Sequence, residues 1–234
     1  MNKSKKVYDI FQNISPYYDR ANDRISLGLQ KKRKNKFVSE ILKTINEDSY
    51  LLDLCCGTGD IGLSLKEKSP ARVVGVDFSE NMLKIAKDKA KGLDNISFVK
   101  ADAKNLPFPD GTFDNMTISF GLRNTDDYKK VLEEMVRVGK DGASIYVIDS
   151  FSVENILVKP FYTLFFKYLM PFLGGGFKRY RDYAWLYEST KVFISPKALA
   201  EMFQSLGLKN IELKKMLFGA CVIVKGEKIK PKNL

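Results

Sequence analysis

The stretch Leu51-Leu52-Asp53-Leu54-Cys55-Cys56-Gly57-Thr58-Gly59-Asp60 decides the fold. An apolar run holding one carboxylate passes into a glycine turn, and Ile61 to Lys68 then follows with helical spacing. That is a buried strand, a tight turn and the start of a helix. Glycines at 57 and 59 let backbone amides approach a ligand, and a helix N-terminus favours an anionic group. Gly57, Gly59 and Gly62 also satisfy G-x-G-x-x-G, the dinucleotide fingerprint. Asp77 stands 20 residues beyond Gly57, at the end of the next apolar run, where a carboxylate can accept from ribose hydroxyls.

Outward from the loop the pattern repeats. Tyr50 to Cys55, Arg72 to Val76, Ile96 to Lys100, Phe113 to Ser119 and Ser144 to Asp149 read as strands. Helical patterns separate them: Ile61 to Lys68, a segment N-capped by Ser79 and running through Lys91, and Asp126 to Val138. The alternation predicts a doubly wound, mostly parallel α/β sheet. Near the C-terminus, Pro196 to Leu206 reads as a helix stopped by Gly207. Leu208 to Lys215 and Phe218 to Val224 then form an expected antiparallel hairpin, followed by a basic, frayed tail. One domain is expected, with N-terminal helices over residues 1–48, a ligand-binding core over 49–150, a helical cap over 151–206 and a hairpin over 207–225.

Composition removes whole classes of chemistry. The 234 residues include no histidine, which excludes His-based triads, His-ligated zinc and imidazole bases. Cys55 and Cys56 are neighbours and Cys221 is remote, so no disulfide framework is expected, and no metal site. Met1 to Lys6 lacks the apolar core of a signal peptide, so a cytoplasmic location is expected. The net charge of +11 permits nucleic acid, anionic lipid or an acidic ligand as partner.

Two cofactors compete for the glycine loop. A nicotinamide dinucleotide fits the fingerprint, but Asp53 and Asp60 at the two ends of the loop would repel a pyrophosphate. They suit a ligand carrying a sulfonium and an ammonium. A first strand at residue 50 and a closing hairpin favour S-adenosyl-L-methionine as well.

Further residues carry a resemblance. They are Tyr18-Asp19, Asn22-Asp23, Ser26 and Gly28, the loop Asp53 to Asp60, and Leu106-Pro107-Phe108-Pro109-Asp110 with Phe113-Asp114. The run Thr117-Ile118-Ser119-Phe120-Gly121-Leu122-Arg123-Asn124 is the most specific, and Arg137-Val138 and Tyr183 to Ser189 extend the match. With these the chain resembles the ubiquinone/menaquinone biosynthesis C-methyltransferase family over nearly its whole length. It departs where the family carries His-Arg and then Trp, since Gln30, Lys31 and Arg33 stand there. It departs again at the turn Lys140-Asp141-Gly142-Ala143, where the family has Lys-Pro-Gly-Gly.

The resemblance implies a class I, Rossmann-like methyltransferase with a seven-stranded sheet and helices on both faces. Its cofactor is S-adenosyl-L-methionine, and its substrate is a prenylated quinol precursor, demethylmenaquinol or the ubiquinol-pathway equivalent. Thr58 and Asp77 are then expected to bind the cofactor, with Asp53, Gly57 and Gly59 shaping the loop. Asp102 and Ala103 flank the adenine, and Ser119 faces the reacting methyl. A ring carbon attacks readily only beside a phenolate, so a quinol hydroxyl must lose or share its proton. Arg123 remains cationic; it is expected to stabilise the quinolate and orient a water, while Asn124 and Tyr18 position the ring.

Phe161 to Phe177 is too interrupted, by Lys167 and Pro171, to span a bilayer. It reads as a helical cap and as a groove for a prenyl tail, with Lys159, Lys167, Lys178, Arg179 and Arg181 resting on anionic headgroups. A homodimer is left open. The basic run Lys31 to Lys36 raises an RNA methyltransferase as alternative, beside another small-molecule methyltransferase and a non-catalytic cofactor-binding domain. No Asn-Pro-Pro-Tyr or Pro-Cys motif supports nucleic acid, and no aromatics interleave with the basic run. The Arg123-Asn124 pair argues against a pure binder.

Overall fold

Leu51 and Leu52 point to opposite faces of strand β1 (Tyr50–Leu54), and both are fully buried. A strand buried on both sides needs helices above and below it. In the computed structural model, which describes residues 3–26, 28–153, 155–175 and 180–229, the sheet is covered in that way. Leu51 packs with Phe37, Ile41, Ile61 and Ile148 on one face, and Leu52 with Met116, Leu132, Val147 and Phe203 on the other.

Seven strands build the sheet: β1, β2 (Arg72–Asp77), β3 (Ile96–Lys100), β4 (Phe113–Ser119), β5 (Gly139–Ser150), β6 (Leu208–Met216) and β7 (Cys221–Lys228). Their order is β3-β2-β1-β4-β5-β7-β6. The first five run parallel, and β7 lies antiparallel between β5 and β6. The order reverses between β1 and β4, and ligands of such sheets bind beyond the carboxyl ends of the strands at that point.

Three helices precede the sheet: α1 (Lys3–Ile14), α2 (Tyr18–Ser26) and α3 (Leu29–Ile41). Within the sheet region come α4 (Asp60–Lys66), α5 (Glu80–Lys89) and α6 (Tyr128–Val138). Ser79 caps α5 by accepting from the Met82 amide at 3.3 Å, as its sequence position predicts. Asp127 caps α6, accepting from the Lys130 amide at 2.9 Å, so that helix starts two residues later than expected.

Beyond β5 lie α7 (Lys159–Leu164), a π-turn at Phe165–Leu169, α8 (Met170–Gly175), α9 (Tyr180–Val192) and α10 (Pro196–Ser205). Leu199 and Phe203 of α10 enter the core, whereas α8 joins the N-terminal helices in a separate cluster of Ile10, Ile14, Ala21, Met82 and Met170. The N-terminal arm and the cap therefore hold one another over the carboxyl edge of the sheet. Gly176, Phe177, Lys178 and Arg179 lie outside the described residues, as do the side chains of Asp23, Arg181 and Tyr183. No helix of the described residues is long and apolar enough to cross a membrane.

Both boundaries of β7 differ from the expectation for physical reasons, and β5 starts at Gly139, taking in the expected turn Lys140 to Ala143. Strand β7 begins at Cys221 because Leu217 and Phe218 adopt left-handed backbone, φ 50° and 55°, and turn the chain instead of extending it. The strand also runs on to Lys228, whose ammonium donates to the carbonyls of Val136 and Gly139 at 3.1 and 2.9 Å. That stretch is tied to the sheet rather than frayed.

Candidate active site

At the end of β1 the chain makes a sequence of tight bends. Cys55 takes φ 53° and Gly57 φ 54°, and Gly59, at φ 82°, precedes α4. The two glycines do different things. A side chain at Gly57 would meet open space, while one at Gly59 would press on Ala86 and Phe98 at 3.1 and 3.2 Å. The Gly59 amide is already spent on the Cys56 carbonyl at 2.9 Å. Gly59 is a packing residue of the turn, and Gly57 is the one exposed to the cavity.

Two carboxylates hold this loop. Asp53 accepts from the Gly62 amide and the Thr117 hydroxyl, both at 3.1 Å, and burial pushes its carboxyl up to about 7. Asp77 accepts from the Gly57 amide with one oxygen and the Ser79 amide with the other, both at 2.9 Å. Burial raises its pKa too, although these amides oppose the shift. Each Asp77 oxygen keeps a lone pair for a further donor.

A first cavity, with about 910 Å³ of empty space, opens beside Gly57 and Asp77 and brings in Asp102, Ala103, Ser119 and Asn124. A narrow cleft continues from it past Asp53, Thr58 and Asp60, with Lys34 on its far wall. Asp60 is caught between burial, which opposes its charge, and the ammonium groups of Lys34 and Lys89, which hold it down at about 2. Thr58 donates its hydroxyl to Asp19 of α2 at 2.9 Å, and Lys89 bridges Asp19 and Asp60 at 2.7 and 2.9 Å. Both signs of charge thus stand at the end of the cleft, while a carboxylate with free lone pairs stands in the broader cavity. The residues fit an adenosine carrying an amino-acid tail: hydroxyls at Asp77, ammonium and carboxylate in the cleft. Asp102 is more loosely held, accepting from the Lys104 amide at 2.9 Å.

A second, larger cavity of about 1310 Å³ lies on the cap side, lined by Gln30, Arg33, Arg123, Tyr162, Phe165 and Phe218 among others. Tyr18 and Phe120 line both cavities and the cleft, so their rings form the partition between them. Burial pushes the Tyr18 hydroxyl above its usual pKa. Phe120 is held at φ 54° by two side chains on its carbonyl, Arg123 at 2.9 Å and Asn124 at 3.2 Å. Such a left-handed non-glycine residue costs about 1–3 kcal/mol and persists where surrounding contacts enforce it.

Arg123 is 5% exposed and tightly held through its Nε and one terminal nitrogen. Its guanidinium donates to Asp149 at 2.5 Å and to Ser189 at 3.2 Å, and its backbone amide meets the other Asp149 oxygen at 3.0 Å. Asn124 accepts from the Trp185 indole at 3.1 Å. Of the residues singled out from sequence, Tyr18, Gly57, Asp77, Asp102, Ala103, Ser119 and Asn124 meet in the first cavity. Asp53 and Thr58 reach the cleft, Arg123 the second cavity, and Gly59 none of the three. Asp149, Trp185 and Tyr162 were not legible as site residues. Only the position of Asp149, a carboxylate closing an apolar strand as Asp77 does, offered a signal.

Comparison with known proteins places the family and the fold. A family model described as the ubiE/COQ5 methyltransferase family matches residues 1–228. The chain is 39% identical over 233 residues to "Demethylmenaquinone methyltransferase" of Anoxybacillus flavithermus, covering 97% of both chains. It is 40% identical over 232 residues to the protein of that name from Staphylococcus saprophyticus, covering 97% of this chain and 99% of the other. Among solved structures, a SAM-dependent methyltransferase from Aquifex aeolicus superposes with a TM-score of 0.59 at 19% identity, over 82% of this chain and 89% of that one. The [4+2]-cyclase SpnF superposes with 0.68 at 16% identity, over 97% of each chain. A cyclase and a methyltransferase on one scaffold mean that the fold alone does not choose the reaction.

Proposed function

The chain belongs to the ubiE/COQ5 methyltransferase family, and from that premise we propose that it methylates a ring carbon of a prenylated quinol, turning demethylmenaquinol into menaquinol. It is an S-adenosylmethionine-dependent enzyme of the class I fold. The observation that carries the substrate proposal is the partition: Tyr18 and Phe120 separate a cavity that holds the carboxylates Asp77 and Asp102, suited to the cofactor, from a larger one to which Tyr162, Phe165, Phe166 and Phe218 add further aromatic walls. The relatives named for demethylmenaquinone support the same ring.

When bound, the cofactor supplies an electrophilic methyl on a sulfonium, so the protein's task is alignment and exclusion of water. Asp77 takes the ribose hydroxyls, and Asp102 with Ala103 borders the adenine. Asp53, with its pKa near 7, and Asp60 face the ammonium. Tyr18 and Phe120 clamp the acceptor ring at the boundary of the two cavities, and Ser119 lies on the cofactor side of that boundary. Asn124 stiffens the boundary by tying Phe120 to Trp185. Arg123 orients the ring and a water that takes up the hydroxyl proton, while Asp149 fixes its guanidinium. Incubation with labelled S-adenosylmethionine and detergent-solubilised demethylmenaquinol, with RNA in parallel, tests the assignment. Label is expected in the quinol, and label in RNA alone would overturn it.

The prenyl tail is placed in the second cavity, which opens toward the cap. Around that region Ile156, Leu157, Phe161, Leu164 and Phe218 are all more than half exposed. An apolar surface of this kind marks an interaction site, and Lys159 and Lys167 add the charge that suits anionic headgroups. Peripheral seating on an anionic membrane accounts for both. Sedimentation with anionic vesicles at low and high salt tests it; binding absent at both would remove this part of the proposal.

A further inference from the structure

We propose that Arg33 is the residue that receives the ionised ring oxygen of the acceptor, an assignment that rests on the quinol substrate above. Leu29, Gln30 and Arg33 occupy one face of α3, and all three line the second cavity. The Arg33 guanidinium lies 5.7 Å from the centroid of the Phe120 ring, and that of Arg123 lies 5.9 Å from the same ring. Two cations therefore address one aromatic platform at the boundary of the two cavities.

Their electrostatics differ. Arg123 is neutralised by Asp149 at 2.5 Å, and its backbone amide shares the same carboxylate. A pair so closed presents little net charge to a ligand. Arg33 has no carboxylate partner among the ion pairs of the described residues, and its Nε is buried without a hydrogen-bond partner. An unmade hydrogen bond at a buried donor is unfavourable, and a ligand oxygen would remove that cost. Nearby, the Tyr162 hydroxyl is a second buried polar atom without a close hydrogen bond, the Thr190 side chain standing beside it. Burial pushes its pKa up to about 12, which keeps it a donor at neutral pH. An aromatic-walled cavity that sets a cation without a carboxylate partner beside a buried phenol matches a ring that carries two oxygens and becomes anionic at one of them.

A cation in this cavity lowers the pKa of a bound hydroxyl, because it favours the ionised form. The consequence is measurable without reference to stability. The pH dependence of kcat on demethylmenaquinol reports the ionisation of the bound quinol, and it can be followed in the wild type, Arg33→Gln and Arg33→Lys.

Removing the charge in Arg33→Gln is expected to move the midpoint of the alkaline rise upward by about one pH unit or more and to lower kcat about tenfold at neutral pH. Arg33→Lys, which keeps the charge, is expected to hold the midpoint near its wild-type value. Unchanged S-adenosylmethionine affinity in both variants serves as the control for an intact fold. A midpoint unmoved in Arg33→Gln, whether or not the rate falls, overturns the assignment and leaves Arg33 as a cover for Phe120. Failure of the wild type to methylate the quinol at all would instead overturn the substrate assignment beneath it.

Discussion

The two cavities are built in different ways from the same chain. Around the first, the buried carboxylates are answered by groups on adjoining strands and the turns after them: Asp77 by the amides of Gly57 and Ser79, Asp53 by Gly62 and Thr117. Those partners sit on β4 and on the turns and helix starts that follow β1 and β2, whose positions the sheet dictates. Around the second, Arg33 on α3, Tyr162 on α7, Phe120 after β4 and Phe218 before β7 converge from remote parts of the chain, and two polar atoms remain unanswered. A cofactor common to many enzymes is met by backbone geometry, whereas the substrate is met by side chains that can vary without disturbing the sheet.

The largest effect that would break this contrast is at Asp149, whose pair with Arg123 is the one tight ion pair among the described residues that reaches the second cavity. Asp149→Ala leaves Arg123 buried and unpaired, and urea unfolding is expected to show a loss of about 3–5 kcal/mol. A loss below 1 kcal/mol would mean that Arg123 finds water and that the cavity is wetter than its lining suggests.

Next comes the loop of the first cavity. The folded pKa of Asp53, about 7, lies above the ordinary carboxyl value of 3.8, so the folded state binds a proton that the unfolded state releases. Its contribution is present in full below pH ~4 and lost as the pH rises through about 7, amounting to a few kcal/mol. Asp53→Asn is expected to flatten the stability of the free protein between pH 4 and 8. Glu40 and Asp60, both held down at about 2, act in the opposite window, since their stabilisation fades as the pH falls below the ordinary carboxyl range.

Smaller and more specific is Asp77→Asn, which must turn an amide NH2 toward one of two backbone N–H groups. A rise in the dissociation constant for S-adenosylmethionine of about 30-fold is expected by calorimetry, corresponding to about 2 kcal/mol. The smallest change is Phe218→Ser, which removes an exposed ring from the cap side. It is expected to weaken binding to anionic vesicles about tenfold, near 1.4 kcal/mol, and to leave cofactor affinity unchanged.

Legibility from sequence follows the same division. The bounds of β3 and β4 coincide with the runs Ile96 to Lys100 and Phe113 to Ser119; for β4, a central strand, burial writes itself directly into composition, while the edge strand β3 is marked by alternation of Ile96, Phe98 and Lys100 with Ser97 and Val99. Asp77, at a strand end beyond a glycine turn, was legible for the same local reason. Gly59 was not distinguishable from Gly57, since which one packs against Ala86 and Phe98 depends on a helix and a strand elsewhere in the chain. Arg33 was hidden in a run of five cations whose sorting into solvent and cavity needs the helix face. The start of β7 was misplaced because Leu217 and Phe218 have β-compatible side chains on left-handed backbone. Asp149 and Arg123 lie 26 residues apart, and nothing local joins them.

One contact at the edge of the site has a practical consequence. The chain contains a single tryptophan, and the indole of Trp185 donates to Asn124 while the Lys6 ammonium rests 4.3 Å above its ring. The fluorophore is thus pinned between the first helix, the cap and the residue behind the partition. Its emission is a native optical gauge: loosening of α1 or α9 alters its polarity, and no dye or tag is needed. Rapid mixing with cofactor alone, with quinol alone and with both in either order would time each arrival from that one signal.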